Sequence, residues 1–217
     1  MKNKIPFPVL ITGLVFLGLT GIFVSADNHI SNYLESADEN LLLLANHNRS
    51  SFWDAVMKES SSFWFWIPFY CFLLLRLVAY NRVRFSRIAV FILFYLLVSI
   101  GSLSAYNTLF GHLRPFYDQA LKNMLEIGPS GPGDAYGCIP MSSIVAGLAF
   151  LLGLFFGRGH LLQNILVGLW ALLVLTSRAY NGWNYPREII SGSAVSILLG
   201  YLSFITYRIY LRKNYAG

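Results

Sequence analysis

Charged residues are scarce in this chain of 217 residues. Only 12% of the residues are Asp, Glu, Lys or Arg, whereas 56% are hydrophobic and the mean hydropathy is +0.56. There are only two cysteines and four histidines, and no cluster of His, Asp and Glu has the spacing of a metal site. These shortages exclude an ordinary soluble domain, and they argue against a disulfide scaffold and against metal chemistry. We expect no cofactor.

What the chain does contain is long apolar segments. A helix needs about 17–25 apolar residues to span a bilayer, and six segments fit: 7–25, 62–79, 88–106, 140–156, 162–177 and 189–207. Because no linker or internal repeat is visible, we predict one domain over 1–217, an all-α integral-membrane bundle of six helices. The first segment also resembles a signal peptide, with a small-residue pattern at 24–26, but a retained span fits the charge pattern better.

The charges are distributed unevenly between the two sides of this predicted bundle. With both termini in the cytoplasm, ten of the sixteen basic residues lie in short cytoplasmic loops and tails, as the positive-inside rule requires. All ten acidic residues fall on the other side. The basic residues on the cytoplasmic side are Lys2, Lys4, Arg76, Arg82, Arg84, Arg87, Arg158, Arg208, Arg212 and Lys213. The net charge of +6 therefore reflects membrane topology and not a nucleic-acid partner.

A short amphipathic stretch precedes the second apolar segment. Phe52, Trp53 and Val56 share one helical face over residues 51–60, and the following run SSFWFWIPFY is rich in aromatic residues. Aromatic side chains favour the headgroup region of a bilayer. We therefore predict a helix over 51–60 that lies along the membrane interface and anchors the chain.

The segment SRAYNGWNYPREIISG, residues 177–192, carries the most specific pattern in the chain. The spacing of Ser177-Arg178, Gly182, Tyr185-Pro186 and Gly192 in this segment resembles a signature of the type-2 phosphatidic acid phosphatase (PAP2) family of membrane lipid phosphatases. In that family Ser-Arg is followed by a nucleophilic His and then by an Asp that orients it. Here Arg178 stands where a phosphate-binding arginine is expected, Asn184 replaces the nucleophile, and Glu188 replaces the Asp.

Two further segments resemble the same family. NTLFGHLRP, residues 107–115, matches a Lys, six residues, then Arg-Pro: Arg114 is present, and Asn107 replaces the Lys. YGCIPMSSIVAG, residues 136–147, resembles a Pro-Ser-Gly-His helix start whose His protonates the leaving group. That His position falls on Ser143, or on Ser142 in a variant of the motif. The guanidinium group of an arginine can donate two hydrogen bonds to a phosphate. The N-terminus of a helix can bind a phosphate through its backbone amides.

The resemblance covers residues 45–212 and implies a bacterial inner-membrane protein whose site faces the periplasm or exterior. It places the family's catalytic positions at Ser143, Asn184 and Glu188, and its phosphate-binding positions at Asn107, Arg114 and Arg178. The expected ligands are a lipid phosphate or pyrophosphate and membrane lipids; a protein partner stays open, and no metal is expected.

Two functions remain open at this stage. An amide cannot act as a nucleophile, and an unperturbed serine hydroxyl cannot act as an acid near neutral pH, so one hypothesis is a pseudophosphatase that binds without turnover. The other is an active phosphatase or phosphotransferase that uses a rearranged nucleophile such as His112 or Cys138. A third interpretation is that the motif positions were altered by design.

Overall fold

The structure, a computed structural model, describes residues 28–62, 64–80, 84–126 and 135–215. Eight α-helices occur in these ranges, and the predicted all-α class is confirmed. Besides helices there is a two-residue antiparallel ladder between β1 (His112–Leu113) and β2 (Tyr136–Gly137). The helices are α1 Asn28–His47, α2 Ser51–Ser60, α3 Ile67–Tyr80, α4 Phe85–Phe110, α5 Gln119–Lys122, α6 Ile144–Phe156, α7 Leu161–Tyr180 and α8 Pro186–Tyr215.

The apolar segments predicted from the sequence coincide with helices wherever the structure describes them. Three helices are long and apolar enough to cross a membrane: α4, α7 and the part of α8 over Pro186–Arg212. A fourth candidate is α2 together with the helical residues Trp64–Ala79, two parts that meet at 82°. The apolar helix over Met141–Phe156 is shorter. The segment 7–25 lies outside the described residues, so the count of six spans stays a prediction.

Helix α6 occupies the centre of the bundle because glycines on two helices let their backbones approach. A Cβ on Gly147 would collide with the backbone carbonyl of Ser196 and with the Tyr95 hydroxyl, and a Cβ on Gly200 would lie 2.7 Å from the Gly147 carbonyl oxygen. Tyr95, 1% exposed, donates a hydrogen bond of 2.7 Å to the carbonyl of Ile144. Close approach of small residues is a usual way to pack helices in membranes, and here it joins α4, α6 and α8.

Helices α1 and α2 lie across one end of the bundle, which we call the α1–α2 end. The sequence predicted α2 as a helix, which is confirmed, but it gave no indication of α1. Asn46 of α1 is fully buried and donates 2.8 Å to the Tyr180 carbonyl, while its Oδ1 accepts 2.8 Å from the Glu126 amide. These two bonds and a further donation from Asn46 Nδ2 to the Glu126 carbonyl at 3.1 Å hold α1 over the end of α7.

Ionic groups separate along the bundle in the way that the sequence pattern indicated. Arg49 pairs with Asp54 at 2.9 Å and with Glu126 at 3.6 Å, all at the α1–α2 end. Arg76, at the opposite end, donates instead to the Gln163 side chain at 3.3 Å. The end that holds these carboxylates also holds the motif residues.

Candidate functional site

Arg178 lies at the last turn of α7, where the chain reverses toward α8. Gly182 has a φ of +70°, a conformation that favours glycine, and the turn brings Trp183 over the guanidinium at 5.0 Å from the ring centroid. Nη2 donates to the Ser61 carbonyl at 3.4 Å, whereas Nε is buried without a partner in the described part of the chain. Arg178 is therefore held in place and keeps an unused donor.

Arg114 follows β1 and packs against the second strand of the ladder. Its backbone amide donates 3.0 Å to the Ala135 carbonyl, and its guanidinium lies so close to Gly137 that a Cβ there would collide with it. Its Nε, like that of Arg178, is buried without a partner among the described residues. The two guanidinium groups are close enough to repel each other. Two like charges with unused donors form a natural anion site.

Asn107, at the lysine position of the family motif, is engaged with the backbone of the segment that leads into α6. Its Nδ2 donates 2.8 Å to the Ile139 carbonyl, and its Oδ1 accepts from the amides of Cys138 and Ile139 at 3.0 and 2.8 Å. A buried amide with these three bonds has little hydrogen-bonding capacity left for a ligand. In this structure Asn107 positions the loop before α6, and its predicted role as a ligand stays untested.

The start of α6 presents two serines in different environments. Ser143 is fully buried and packs against Gly192 of α8, where a Cβ would lie 2.5 Å from the Ser143 Oγ. Ser142 lines a cavity together with Arg178. Neither Oγ has a hydrogen-bond partner in the described ranges. Of the two possible motif alignments, Ser142 therefore lies nearer to the cavity.

Asn184 and Glu188, the positions that the PAP2 resemblance assigns to the nucleophile and its carboxylate, bind each other. Both side chains are 2% exposed, and Asn184 Nδ2 donates 2.9 Å to Glu188 Oε2, which also accepts from the Tyr185 amide at 3.2 Å. Glu188 thereby caps the start of α8, where a negative charge is stabilised by the helix dipole. Gly192, four residues on, shares this helical face, so Ser143 lies one turn away from Glu188.

Tyr185 lies between these two residues in the turn before α8. Burial raises the pKa of its hydroxyl above the ordinary value, and the carboxylates of Asp118, Glu39 and Glu188 raise the pKa further, against a smaller opposing effect of Arg187. The phenol therefore stays protonated at neutral pH.

A cavity of about 480 Å³ extends from Arg178 into the bundle, and we call it the central cavity. Its polar end consists of Arg178, Ser142 and the serines at positions 60–62. Ser60 is the last residue of α2, and the other two come directly after it. Its remainder is apolar and lies between α3, α4, α6 and α7. The apolar lining includes Leu73, Leu77, Leu96, Leu148, Leu152 and Trp170. Such a shape suits an amphiphile with an anionic head.

Of the two candidate substitute nucleophiles, Cys138 does not line the central cavity, and the side chain of His112 is outside the described part of the structure. Cys138 is 8% exposed and belongs to an apolar cluster with Leu103, Tyr106 and Ile139. The backbone of His112 is in β1, but its side chain lies outside the described part. Among the described residues, no group of three His, Cys, Asp or Glu could hold a metal ion.

Sequence reasoning missed the contribution of α2 to this site. The end of α2 supplies the Ser61 carbonyl to Arg178, and Asn181 donates to the Met57 carbonyl and to Ser61 Oγ at 3.4 Å each. The only sequence signal was the run of three serines before the aromatic stretch. The motif pattern gave no reason to connect that run with residues more than a hundred positions later.

The comparisons with known proteins find similar membrane phosphatases. No family model matches the sequence. The chain is 27% identical over 187 residues to a lipid A 4'-phosphatase of Bacteroides thetaiotaomicron, covering 83% of this chain and 81% of the relative. The crystal structure of a PAP2-type phosphatidylglycerolphosphate phosphatase from Bacillus subtilis superposes with a TM-score of 0.56 at 20% identity, covering 93% and 96% of the two chains. The chain has the fold of the PAP2-type phosphatases.

A second solved structure has the same fold. Aquifex aeolicus LpxE matches with a TM-score of 0.53 at 19% identity, over 76% of this chain and 93% of that one. At such identities the solved structures show the PAP2 fold, and the resemblance predicted from the sequence motifs is confirmed. The chain is therefore a membrane protein with the fold of the PAP2 lipid phosphatases.

Proposed function

We propose that this PAP2-family protein binds a lipid phosphate or pyrophosphate and hydrolyses it with little or no turnover. The observation that carries the proposal is the contrast between two pairs of residues. Arg114 and Arg178 lie within electrostatic reach of each other, with unused donors. Asn184 and Glu188 are buried and bonded to each other. The first pair supports binding, and the second supplies no nucleophile.

Phosphate binding would relieve an electrostatic cost that is present in the fold. Two buried guanidinium donors without partners cost free energy, because each lost its hydrogen bonds to water. A phosphate between Arg114 and Arg178 would accept from both and neutralise their repulsion. Hydrogen bonds to charged groups each contribute about 1.5–3 kcal/mol, which is enough for specific binding.

The central cavity supports a lipid as the carrier of this phosphate. Its polar end holds Arg178 and Ser142, and the apolar remainder descends between membrane-embedded helices. A free sugar phosphate or nucleotide would leave that apolar surface without a partner. An acyl chain would fill it, since burying each CH₂ group contributes about 0.8 kcal/mol.

Catalysis would need groups that the motif positions do not provide. Covalent phosphoryl transfer requires a nucleophile and an acid of suitable pKa. Asn184 is an amide tied to Glu188, and Ser143 is enclosed by α8. Losing key members of a catalytic unit costs several orders of magnitude in rate. We therefore propose a pseudophosphatase, with Ser143, Asn184 and Glu188 as former catalytic positions.

The location of the site follows from the charge distribution. We propose that both termini lie in the cytoplasm, as the positive-inside rule favours, so that the α1–α2 end would face the periplasm or exterior of a bacterial inner membrane. The ligand then comes from the exterior leaflet. A reporter fused after Gly217 tests this orientation: a cytoplasmic signal supports it, and a periplasmic signal contradicts it.

The alternative is an active lipid phosphatase or phosphotransferase with a rearranged nucleophile, His112 or Cys138. The purified full chain should be incubated in nanodiscs with phosphatidic acid, phosphatidylglycerol phosphate, undecaprenyl diphosphate and lipid A, with binding and phosphate release measured in parallel. We expect binding of at least one lipid without release. Turnover that is lost on changing His112→Ala or Cys138→Ala would establish the alternative, and absence of binding to every lipid would overturn the proposal.

A further inference from the structure

The central cavity is a slot that follows the axes of the helices around it. On α7 its lining residues are Trp170, Val174 and Arg178, and on α6 they include Leu148 and Leu152. Residues four positions apart lie on the same face of a helix, one above the other. The slot therefore runs lengthwise into the bundle from its polar end.

The depth of this slot follows from the helices that line it. On α7, Trp170 is the deepest lining residue and lies eight positions from Arg178 at the polar end. On the α6 side, Leu152 is the deepest lining residue and lies ten positions from Ser142. At about 1.5 Å per helical residue, these separations give a depth of about 12–15 Å.

Below this depth the slot ends at tightly packed side chains. Phe156 lies four residues beyond Leu152 on α6, and Val167 lies three residues beyond Trp170 on α7. Both are 1% exposed, and they belong to one apolar cluster with Leu77 of α3. These side chains form the floor of the slot.

Helices α3 and α4 close the sides of the slot near the floor. Leu73 and Leu77 of α3 are buried, and Ile88 of α4 is buried in the same apolar cluster. Arg76 donates from Nε and Nη2 to the Gln163 side-chain oxygen at 3.3 Å each, which ties α3 to α7 at this level. A chain that reaches the floor has little space in which to continue.

We propose that the central cavity selects its lipid by the length of the acyl chain that enters it, and that Leu77, Leu152 and Trp170 set the limit. This inference rests on the proposed binding of a lipid phosphate. An extended backbone advances about 3.6 Å over three bonds, so a saturated chain advances about 1.2 Å per bond and about 10–12 carbons fill the slot. A longer chain has to displace packed side chains, and forcing extra methylenes into a packed core is unfavourable.

Lysophosphatidic acids that differ only in chain length test this selection, because each carries a single chain. Their Kd for the full chain in nanodiscs is measured against the concentration of each lipid in the bilayer, so that partition into the bilayer does not contribute. We expect similar Kd values for saturated chains of up to about 12 carbons. For a chain of about 18 carbons the Kd should be about tenfold higher or more, which is the effect of overpacking in a core.

Two variants should move the length limit in opposite directions. Leu152→Ala removes side-chain carbons at the floor, so it should lower the Kd of the longest chain about tenfold toward that of the short chains. Leu148→Phe obstructs the slot halfway, so it should raise the Kd already at about 12 carbons. A general loss of folding cannot produce both shifts. Leu151→Ala is the matched control: Leu151 is fully buried and lies toward Gly200 of α8, so its loss should leave the dependence on length unchanged.

The results separate a failure of this inference from a failure of the proposed function. Binding with the same Kd at every chain length would overturn the length limit and leave the proposed function intact. A length limit that Leu152→Ala and Leu151→Ala shift equally would overturn the role of the floor residues. If no lysophosphatidic acid and no lipid of the earlier panel binds, the proposed function is wrong and this inference falls with it.

Discussion

Asn184 donates a hydrogen bond of 2.9 Å from its side-chain amide to Glu188 Oε2, four residues later at the start of α8. The pair sits where the PAP2 resemblance places a nucleophile and the carboxylate that orients it. A His at position 184 could donate to the same carboxylate, so the proposed loss of the nucleophile would leave the local hydrogen bond in place. The hydrogen bond between residues 184 and 188 therefore does not depend on catalytic activity at this site.

Restoring the substituted positions together should create phosphatase activity. We expect Asn184→His with Ser143→His and Asn107→Lys to raise phosphate release by about 100-fold over background, the lower end of what a positioned acid–base group contributes. Because Ser143 is enclosed by Gly192 and Asn107 holds the loop before α6, a second variant should combine Asn184→His with Ser142→His and keep Asn107. Phosphate release equal to that of the unmodified chain in both folded variants would count against the PAP2-derived roles.

Removing the charge of Arg178 should weaken phosphate binding. Arg178→Ala loses charge-assisted hydrogen bonds of about 1.5–3 kcal/mol, so the Kd for a short-chain phosphatidic acid should rise about tenfold to 100-fold. Calorimetric titration in nanodiscs measures this change. Arg208→Ala, an exposed arginine far along α8, is the matched control and should leave the Kd unchanged; equal effects from both variants would indicate nonspecific attraction.

Asn107 should act on stability more than on binding. Asn107→Ala leaves the amides of Cys138 and Ile139 without their acceptor, and an unsatisfied buried donor costs about 1–3 kcal/mol. We expect a lower thermal unfolding temperature in detergent. Thr108→Ala, which removes only a bond within α4, should have a much smaller effect. Unchanged stability with weakened phosphate binding would instead make Asn107 a ligand.

The crossing of α6 and α8 should tolerate no side chain at Gly147. Gly147→Val would push into the Ser196 carbonyl and the Tyr95 hydroxyl, and overpacking of this kind costs about 1–3 kcal/mol. Thermal unfolding in detergent should show the loss. Gly101→Val is the control, since a Cβ on Gly101 meets nothing within 4 Å; similar losses in both variants would point to helix propensity and not to the crossing.

Tyr185 should make stability sensitive to alkaline pH. Its pKa is raised in the folded state, mainly by burial, so its contribution is complete below the unfolded value of about 10 and is lost as pH rises above it. Unfolding temperatures measured from neutral to strongly alkaline pH should fall less steeply in Tyr185→Phe than in the unmodified chain. The same change at exposed Tyr201 should leave the slope as it was, and identical slopes in all three would refute the assignment.

The sequence by itself determined the membrane class, the helical segments and the resemblance to the PAP2 phosphatases. Apolar runs such as 88–106 predict helices because a bilayer requires every backbone group to be bonded within its own segment. The motif around Arg178 and Asn184 was recognisable because its spacing is local. The separation of charges between the two ends was likewise visible, since it depends only on where the apolar runs lie.

Only the tertiary structure decided what the individual side chains do. Asn107 binds the backbone of residues 138 and 139, and Arg178 meets Ser61; both contacts depend on how helices pack, which no local pattern encodes. Helix α1 escaped prediction because it is held by contacts with distant residues, such as the bonds of Asn46 to Glu126 and Tyr180 and the packing of Leu42 in a cluster with Leu121. Periodicity fixes the elements of a membrane bundle, whereas contacts between distant residues fix its site.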